Sequence, residues 1–393
     1  MKIIVYKDNF EYGGDTKYFS HLLNSFKKKD QCQISVFFSN KSDQTRKFVL
    51  VNKKKYKFFF IKKNQIPTKS INNIYLCKFI NKLNYLCYPI YFFLDFLFFT
   101  KKIIPAKPDI IISFNGGYPG SLRSLSFTIV AGFYNIKNFL IVASIPSKRN
   151  FFLNIYDFIL DFCIKKYVYK IIVNSKNQSN LLNKYRKIPY SKLAVLYNGL
   201  KIIKKRFSKI NFKGKEINFG VVSRLDENKK IDLLINLFNN FSYKDYIFNL
   251  LIIGNGNQEK YLKKISRKNK NNRVIFLGYK NSNEVIKILR NKIDIYLFSS
   301  IIEGMPYSIL ESINLGVPII SSNAGGGVSE LFKNKKDLVV LKKFNQNNFN
   351  KAVINYLRSP QIAEKFRNNA YLKLTKYFNI IDMQKKFKHL LEI

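Results

Sequence analysis

The chain has 393 residues, a length that fits two domains of about 150–200 residues better than one core. A hydrophobic fraction of 47% excludes a disordered polyelectrolyte, even with a formal net charge of +45. Lys, Asn, Ile, Phe and Tyr are abundant together while Trp is absent, so the charge reads first as the coding bias of an A/T-rich genome. Its second reading is attraction to an anionic membrane surface. A nucleic-acid-binding protein is the rival that such a charge raises. The basic residues are spread over the whole chain, however, and no RNP, zinc-finger or helix-turn-helix signature accompanies them, so no specific nucleic acid is expected.

The N-terminus opens as a strand, Ile3–Tyr6, without the apolar core of a secretory signal. Tyr12-Gly13-Gly14-Asp15 follows, ahead of the helix-period residues Phe19, Leu22, Leu23 and Phe26. Gly14 in that turn is expected to offer its backbone N–H to a phosphate. After the strand Ile34–Phe38, the stretch Leu83–Leu94 gives 12 uncharged residues between Lys82 and Asp95, against about 20 needed to span a bilayer. It reads either as a buried helix or, as Tyr85–Phe99, as an aromatic patch dipping into a membrane interface beside Lys101 and Lys102. Lys27–Lys29 and Lys53–Lys55 would add to such a surface. The strand Ile110–Phe114 runs into a glycine-rich loop, Ser113 to Ser121, which contains Asn115, Gly116, Gly117 and Tyr118. Phe139–Val142, Ile171–Val173 and Ala194–Tyr197 complete a first series of strands.

A Lys-rich run, Lys201–Lys215, lacks clear periodicity and marks the seam. A second series then begins: Ile217–Val222, Phe248–Ile253, Val274–Leu277, Ile293–Phe298 and Pro318–Ser321, with helical patterns between, such as Leu233, Leu234, Leu237 and Phe238. Short apolar runs alternating with helices predict α/β domains built on doubly wound parallel sheets, two of them and Rossmann-like. The expected organisation is a first domain over 1–198, a basic linker over 199–215, a second domain over 216–375 and a final helix within 376–393 that crosses back to the first domain. Ligands bind beyond the carboxyl ends of such strands, so two sheets facing across a cleft would hold a substrate between them.

The strongest motif follows the strand Ile293–Phe298 and runs from Ser299 to Glu311. Pro306 suits the first turn of a helix, Gly316 its C-terminal cap, and Pro318 stops it. Glu303 then sits in the loop at the helix's positive end and Glu311 about two turns further, roughly 12 Å along the axis. Two carboxylates so spaced can grip two hydroxyl-bearing parts of one elongated ligand; either alone could simply stabilise a helix dipole. Earlier, Gly220 to Asp232 places Arg224 and Lys229 between a buried strand and a helix. A guanidinium fork and a point charge there suit phosphate oxygens, and cations fixed beforehand stabilise a leaving diphosphate. Gly254, in Ile253-Gly254-Asn255-Gly256, and Gly326, in Gly325-Gly326-Gly327, follow strands and let backbone approach a ligand. No Asp-x-Asp triplet occurs, so no metal is expected, Arg224 and Lys229 taking its place. The four cysteines (Cys32, Cys77, Cys87, Cys163) form no CxxC pair and only His21 and His389 occur, which points to free thiols in a reducing cytoplasm rather than a zinc site.

On these residues the chain resembles glycosyltransferase family 4, retaining enzymes of the GT-B fold, in its bacterial surface-polysaccharide type. Glu303 and Glu311 match the family's E-x7-E motif, and Arg224 and Lys229 its diphosphate grip. Gly13-Gly14, Val173–Ser175 and Leu196–Gly199 are also similar. The resemblance implies catalytic Glu303, Arg224 and Lys229 and a donor site of Glu311, Gly14, Gly254, Gly278, Tyr279, Gly304, Met305, Pro306 and Gly326. Glu303 would meet the sugar, Glu311 the ribose, and Gly278-Tyr279 the base. Asn115, Gly116, Gly117 and Tyr118 would face the acceptor, as similar loops do in such transferases. Members often carry a first-domain histidine where this chain has Ser144 or Ile145. The implied activity is transfer of a hexose from a nucleotide diphosphate sugar, UDP-linked, to a saccharide acceptor such as a lipid-linked O-antigen or capsule repeat unit. The nucleotide sugar is a co-substrate and no cofactor is expected. The protein would be cytoplasmic and peripheral on the inner face of the plasma membrane. A GT-B sugar-nucleotide epimerase is the alternative, disfavoured because only two histidines are present.

Overall fold

The computed structural model describes residues 1–8, 13–26, 30–39, 42–61, 76, 80, 83–84, 86–149, 154–204, 207–212, 214, 216–266 and 272–393. Tyr12, Lys27–Lys29, Cys77, Lys82, Tyr85 and four residues of the basic linker (205, 206, 213, 215) lie outside them. The chain divides into two units, Met1–Leu196 with Gln384–Ile393, and Tyr197–Met383.

In the first unit the strands are β1 (Lys2–Lys7), β2 (Gln33–Phe38), β3 (Lys57–Phe60), β4 (Ile110–Asn115), β5 (Lys137–Val142), β6 (Lys170–Val173) and β7 (Leu193–Val195). They form one sheet in the order β3-β2-β1-β4-β5-β6-β7, and every recorded pairing is parallel. All six residues of β4 are buried, as are five of the six in β1, because helices cover both faces of a parallel sheet. One core gathers Leu125, Leu140, Ile164 and Ile171; the other gathers Tyr6, Phe99, Ile111 and Phe127. The helix Leu122–Phe133 is sunk between its neighbours, with Leu122 to Ala131 all buried. The final helix, Ile380–Leu391, carries residues of both units. Its portion in the first unit is tied by Gln384 donating to the His21 carbonyl at 3.0 Å and by Lys388 to Asp30 at 2.7 Å.

The second unit holds β8 (Glu216–Val222), β9 (Ile247–Ile253), β10 (Asn272–Gly278), β11 (Ile295–Phe298), β12 (Ile319–Ser322) and β13 (Val339–Leu341), in the order β10-β9-β8-β11-β12-β13. These pairings are parallel too. Phe219, Phe248, Ile295 and Leu297 build the core on one face, and Ile253, Tyr296, Ile309 and Leu374 that on the other. In both sheets the strand order reverses beside the first strand of the unit, between β1 and β4 and between β8 and β11. The fold is therefore α/β with two doubly wound parallel sheets. Two strands have no counterpart in the sequence reading: β3, an edge strand of consecutive aromatics whose Phe59 stacks on Phe37 at 4.8 Å, and β13, only three residues long. Neither alternates or runs long enough to announce itself.

Candidate functional site

Sheets of this kind open a crevice where the strand order reverses, because loops leave the two adjacent strands in opposite directions. In the second unit those loops follow β8 and β11, and they carry Arg224, Lys229 and Glu303. After β8 the chain makes a short 3-10 turn, Glu227–Lys229, passes through Lys230 in the left-handed region (φ 49°), and starts the helix Ile231–Asn239. The Lys229 ammonium contacts the Glu303 carboxylate directly, each side chain being 19% exposed. Backbone stitches this pairing together: Ser299 Oγ donates to the Lys229 carbonyl at 2.6 Å, and the Ile301 N–H to the Asn228 carbonyl at 3.2 Å. Arg224 is 56% exposed and paired with Asp226 at 3.1 Å. Its guanidinium therefore stays reachable from solvent.

Behind this cluster stands Tyr296, a buried residue of β11 that sequence reasoning passed over as ordinary strand core. Its hydroxyl donates to the Val222 carbonyl at 3.3 Å, bracing the end of β8. Burial raises its pKa first, against hydrogen bonds with Ser308 and Val222, and Glu311 and Glu303 both add to the rise. Glu311 lies on the second turn of the helix Tyr307–Asn314 and is half-buried. Pro306 stands at the cap just before that helix rather than in its first turn, with φ −73° and ψ 121°. Gly316 takes φ 75° just past the helix end, as a residue terminating a helix requires.

The other predicted second-unit residues share the carboxyl edge but do different work. Gly254 (φ 135°) donates its N–H to the Gly278 carbonyl at 2.9 Å, and a Cβ there would come 1.9 Å from the Ser223 carbonyl oxygen. Only glycine lets the loops after β8 and β9 lie so close. Gly278 takes φ 66° with open space beside it, and Tyr279 is exposed. Gly304, Met305 and Pro306 are buried, so any contact they make with a donor would come from backbone. The Met305 carbonyl accepts from Asn198 Nδ2 at 2.7 Å, and the Gly304 carbonyl from the Gly327 N–H at 2.6 Å. Gly326 is likewise buried: a Cβ would meet the Glu303 carbonyl oxygen at 1.9 Å, so its place is beneath the Glu303 loop. Asn198, at the end of the Leu-Tyr-Asn-Gly segment, is the anchor of that loop.

In the first unit the loops at the switch point follow β1 and β4. Gly14 opens the helix Gly14–Leu23 and is exposed, while Lys7 at the end of β1 is buried against Asp15 at 2.8 Å. Gly116 and Gly117 are open, with no atom within 4 Å of an added Cβ. The side chains of Asn115 and Tyr118, the other two residues expected at the acceptor, support the loop. The Asn115 side chain donates to the Pro119 carbonyl at 2.6 Å and accepts from the Ser121 N–H at 2.9 Å. Tyr118 is 2% exposed, its hydroxyl donating to Asp161 at 2.8 Å. Asp161 also takes Arg149 at 2.9 Å, and Arg186, fully buried, holds Asp157 at 2.8 Å and the Ser147 carbonyl at 3.0 Å. Burial pushes the Asp161 carboxyl up, opposed by Tyr118, Arg186 and Arg149. This network fixes the loop after β4 to the loop after β5 that carries Ser144 and Ile145. Nothing in the sequence spacing links those five residues. Asn174 and Ser175 are buried as well: Ser175 caps the helix Lys176–Arg186, and Asn174 holds the Ala143 carbonyl at 3.0 Å. Among the described residues no group of three or more His, Cys, Asp or Glu is arranged to hold a metal ion.

Residues 202–373 match the family model described as glycosyl transferases group 1, a stretch that lies within the second unit. Among solved structures, Anabaena HepE in complex with UDP has a TM-score of 0.72 at 15% identity, covering 100% of both chains. The chain shares the GT-B fold of such glycosyltransferases. The O-antigen biosynthesis glycosyltransferase WclY of Escherichia coli is 28% identical over 165 residues, 39% of this chain and 43% of that one. A Campylobacter jejuni relative, N-acetylgalactosamine-N,N'-diacetylbacillosaminyl-diphospho-undecaprenol 4-alpha-N-acetylgalactosaminyltransferase, is 24% identical over 225 residues, 56% of this chain and 60% of that one. The chain thus spans less than two thirds of the length of these curated relatives.

Proposed function

We propose that this protein is a retaining glycosyltransferase of family 4 that moves a hexose from a UDP-linked donor to a saccharide acceptor carried on a lipid diphosphate. The observation that carries the reading is the Lys229–Glu303 pair at the switch point of the second sheet, with Arg224 on the same loop as Lys229. Lys229 and Arg224 would hold the diphosphate, whose charge grows as the bond from the anomeric carbon to the phosphate oxygen breaks. Glu303 would take hydroxyls of the sugar and Glu311 those of the ribose. The acceptor hydroxyl attacks the anomeric carbon from the side the phosphate leaves, and the departing phosphate oxygen receives its proton. No further strong base is then needed, in keeping with Ser144 or Ile145 in place of a histidine. Support for UDP comes from HepE, solved with UDP, and support for a lipid-linked acceptor from the activity that names the Campylobacter relative.

The test is Glu303→Ala assayed for UDP release from UDP-sugars in the presence of acceptor. Turnover is expected to fall about a thousandfold, roughly 4 kcal/mol of transition-state stabilisation, with an unchanged circular dichroism spectrum. Near-normal turnover would remove Glu303 from the chemistry. An epimer formed from donor alone, without acceptor, would favour the epimerase instead.

A further inference from the structure

Two helices of the first unit, Tyr88–Ile103 and Asn154–Tyr167, carry apolar residues on the side turned to solvent. On the first these are Ile90, Phe93, Leu94 and Leu97, with Phe93 60% exposed. On the second they are Ile155, Phe158, Ile159 and Phe162, with Ile155 80% exposed. Both sets repeat the spacing i, i+3, i+4, i+7, which makes a stripe along one side of a helix. The sequence reading singled out the first stretch and missed the second.

The two stripes belong to one surface. Both helices pack on Leu122–Phe133. Tyr88 meets Tyr156 at 5.6 Å, and the half-exposed Phe133 bridges Phe96 at 5.5 Å and Tyr167 at 5.8 Å. Charge is sorted across the same helices. Their three carboxylates, Asp95, Asp157 and Asp161, all turn inward onto Arg123, Arg186 and Arg149. Lys101, Lys102, Lys165 and Lys166 occupy the last turns, and three of these are exposed. The outer side therefore offers apolar and aromatic side chains with lysines and no acid.

We infer that this two-helix surface docks on an anionic lipid bilayer, the apolar stripes entering the interface and the lysines meeting lipid phosphates. A second copy of the chain is a poor occupant, because two such faces would bring lysines against lysines on chains of net charge +45. No described helix is long and apolar enough to cross a membrane, so contact would be from one side. The inference stands apart from the proposed transfer reaction and needs no donor.

The experiment is co-sedimentation of the full chain with vesicles of phosphatidylcholine, with and without phosphatidylglycerol, at low salt. Wild type is expected to pellet with the anionic vesicles alone. Phe93→Ser/Phe158→Ser should weaken that partition about tenfold or more, and replacing the four lysines by Glu about a hundredfold or more. Thermal unfolding and UDP affinity, read on the same samples without lipid, should not change. Equal partition onto both vesicle types, or variants that pellet like wild type, would overturn the inference. So would a dimer in sedimentation velocity that Ile155→Ser converts to monomer, since a second copy would then cover the face. Loss of UDP binding in the wild type would count against the transferase alone.

Discussion

At the switch point of the second sheet the charged side chains stand where a ligand can reach them. Lys229 and Glu303 pair with each other at partial exposure, and Arg224 leans on a near neighbour, Asp226, with more than half its surface open. At the switch point of the first sheet most of the described charges lie inside. Lys7 is buried on Asp15, and Arg186, Asp157, Asp161 and Arg149 form a network behind the loop that leaves Gly116 and Gly117 at the surface. The same topology thus yields one mouth lined by accessible ions and another whose ions hold glycine backbone in place. Under the proposed reaction the accessible cations would suit a diphosphate and the fixed backbone groups the hydroxyls of a sugar.

The comparison breaks most visibly at Arg186. Removing a guanidinium from a buried, paired setting leaves Asp157 uncompensated, so Arg186→Ala should cost about 3–5 kcal/mol of stability in urea titration. Affinity for UDP in whatever fraction stays folded should be unchanged; a parallel loss of UDP affinity would mean that the first-unit charges also serve the donor. The next effect sharpens the other side of the contrast. Lys229→Ala should weaken UDP binding about a hundredfold by calorimetry, within the range of about 1.5–3 kcal/mol for a charged hydrogen bond. Arg224→Ala should weaken it about tenfold, its greater exposure diluting the gain from each contact. Unaltered affinity in both would dismiss the diphosphate grip. The smallest effect belongs to Tyr118→Phe, which deletes only the hydroxyl on Asp161 and should lower stability by about 1 kcal/mol. The acceptor KM should hold steady, whereas a tenfold rise would put that hydroxyl on the acceptor after all.

Patterns that depend on neighbours in the chain were legible from the outset. Buried parallel strands are continuous apolar runs, so β1, β4, β8, β9 and β11 announced themselves, and with them the doubly wound class. The loops after those strands named Arg224, Lys229 and Glu303, each between a strand and a helix, and the spacing from Glu303 named Glu311 on the helix that follows. What neighbours in the chain could not show is that the Tyr118 hydroxyl is held by Asp161 and that Met305 packs in the core of the second unit. The helix Asn154–Tyr167 showed no reason to differ from any buried amphipathic helix until its apolar stripe was found facing outward. The amino-acid sequence by itself determined eleven of the described strands, β3 and β13 excepted, and which loops carry charge, since both follow from local pattern. Only the tertiary structure decided which side chains turn inward and which apolar ones stay exposed. Those choices rest on partners such as Arg186 and Asp161, which lie 25 positions apart along the chain and meet only when separate helices pack.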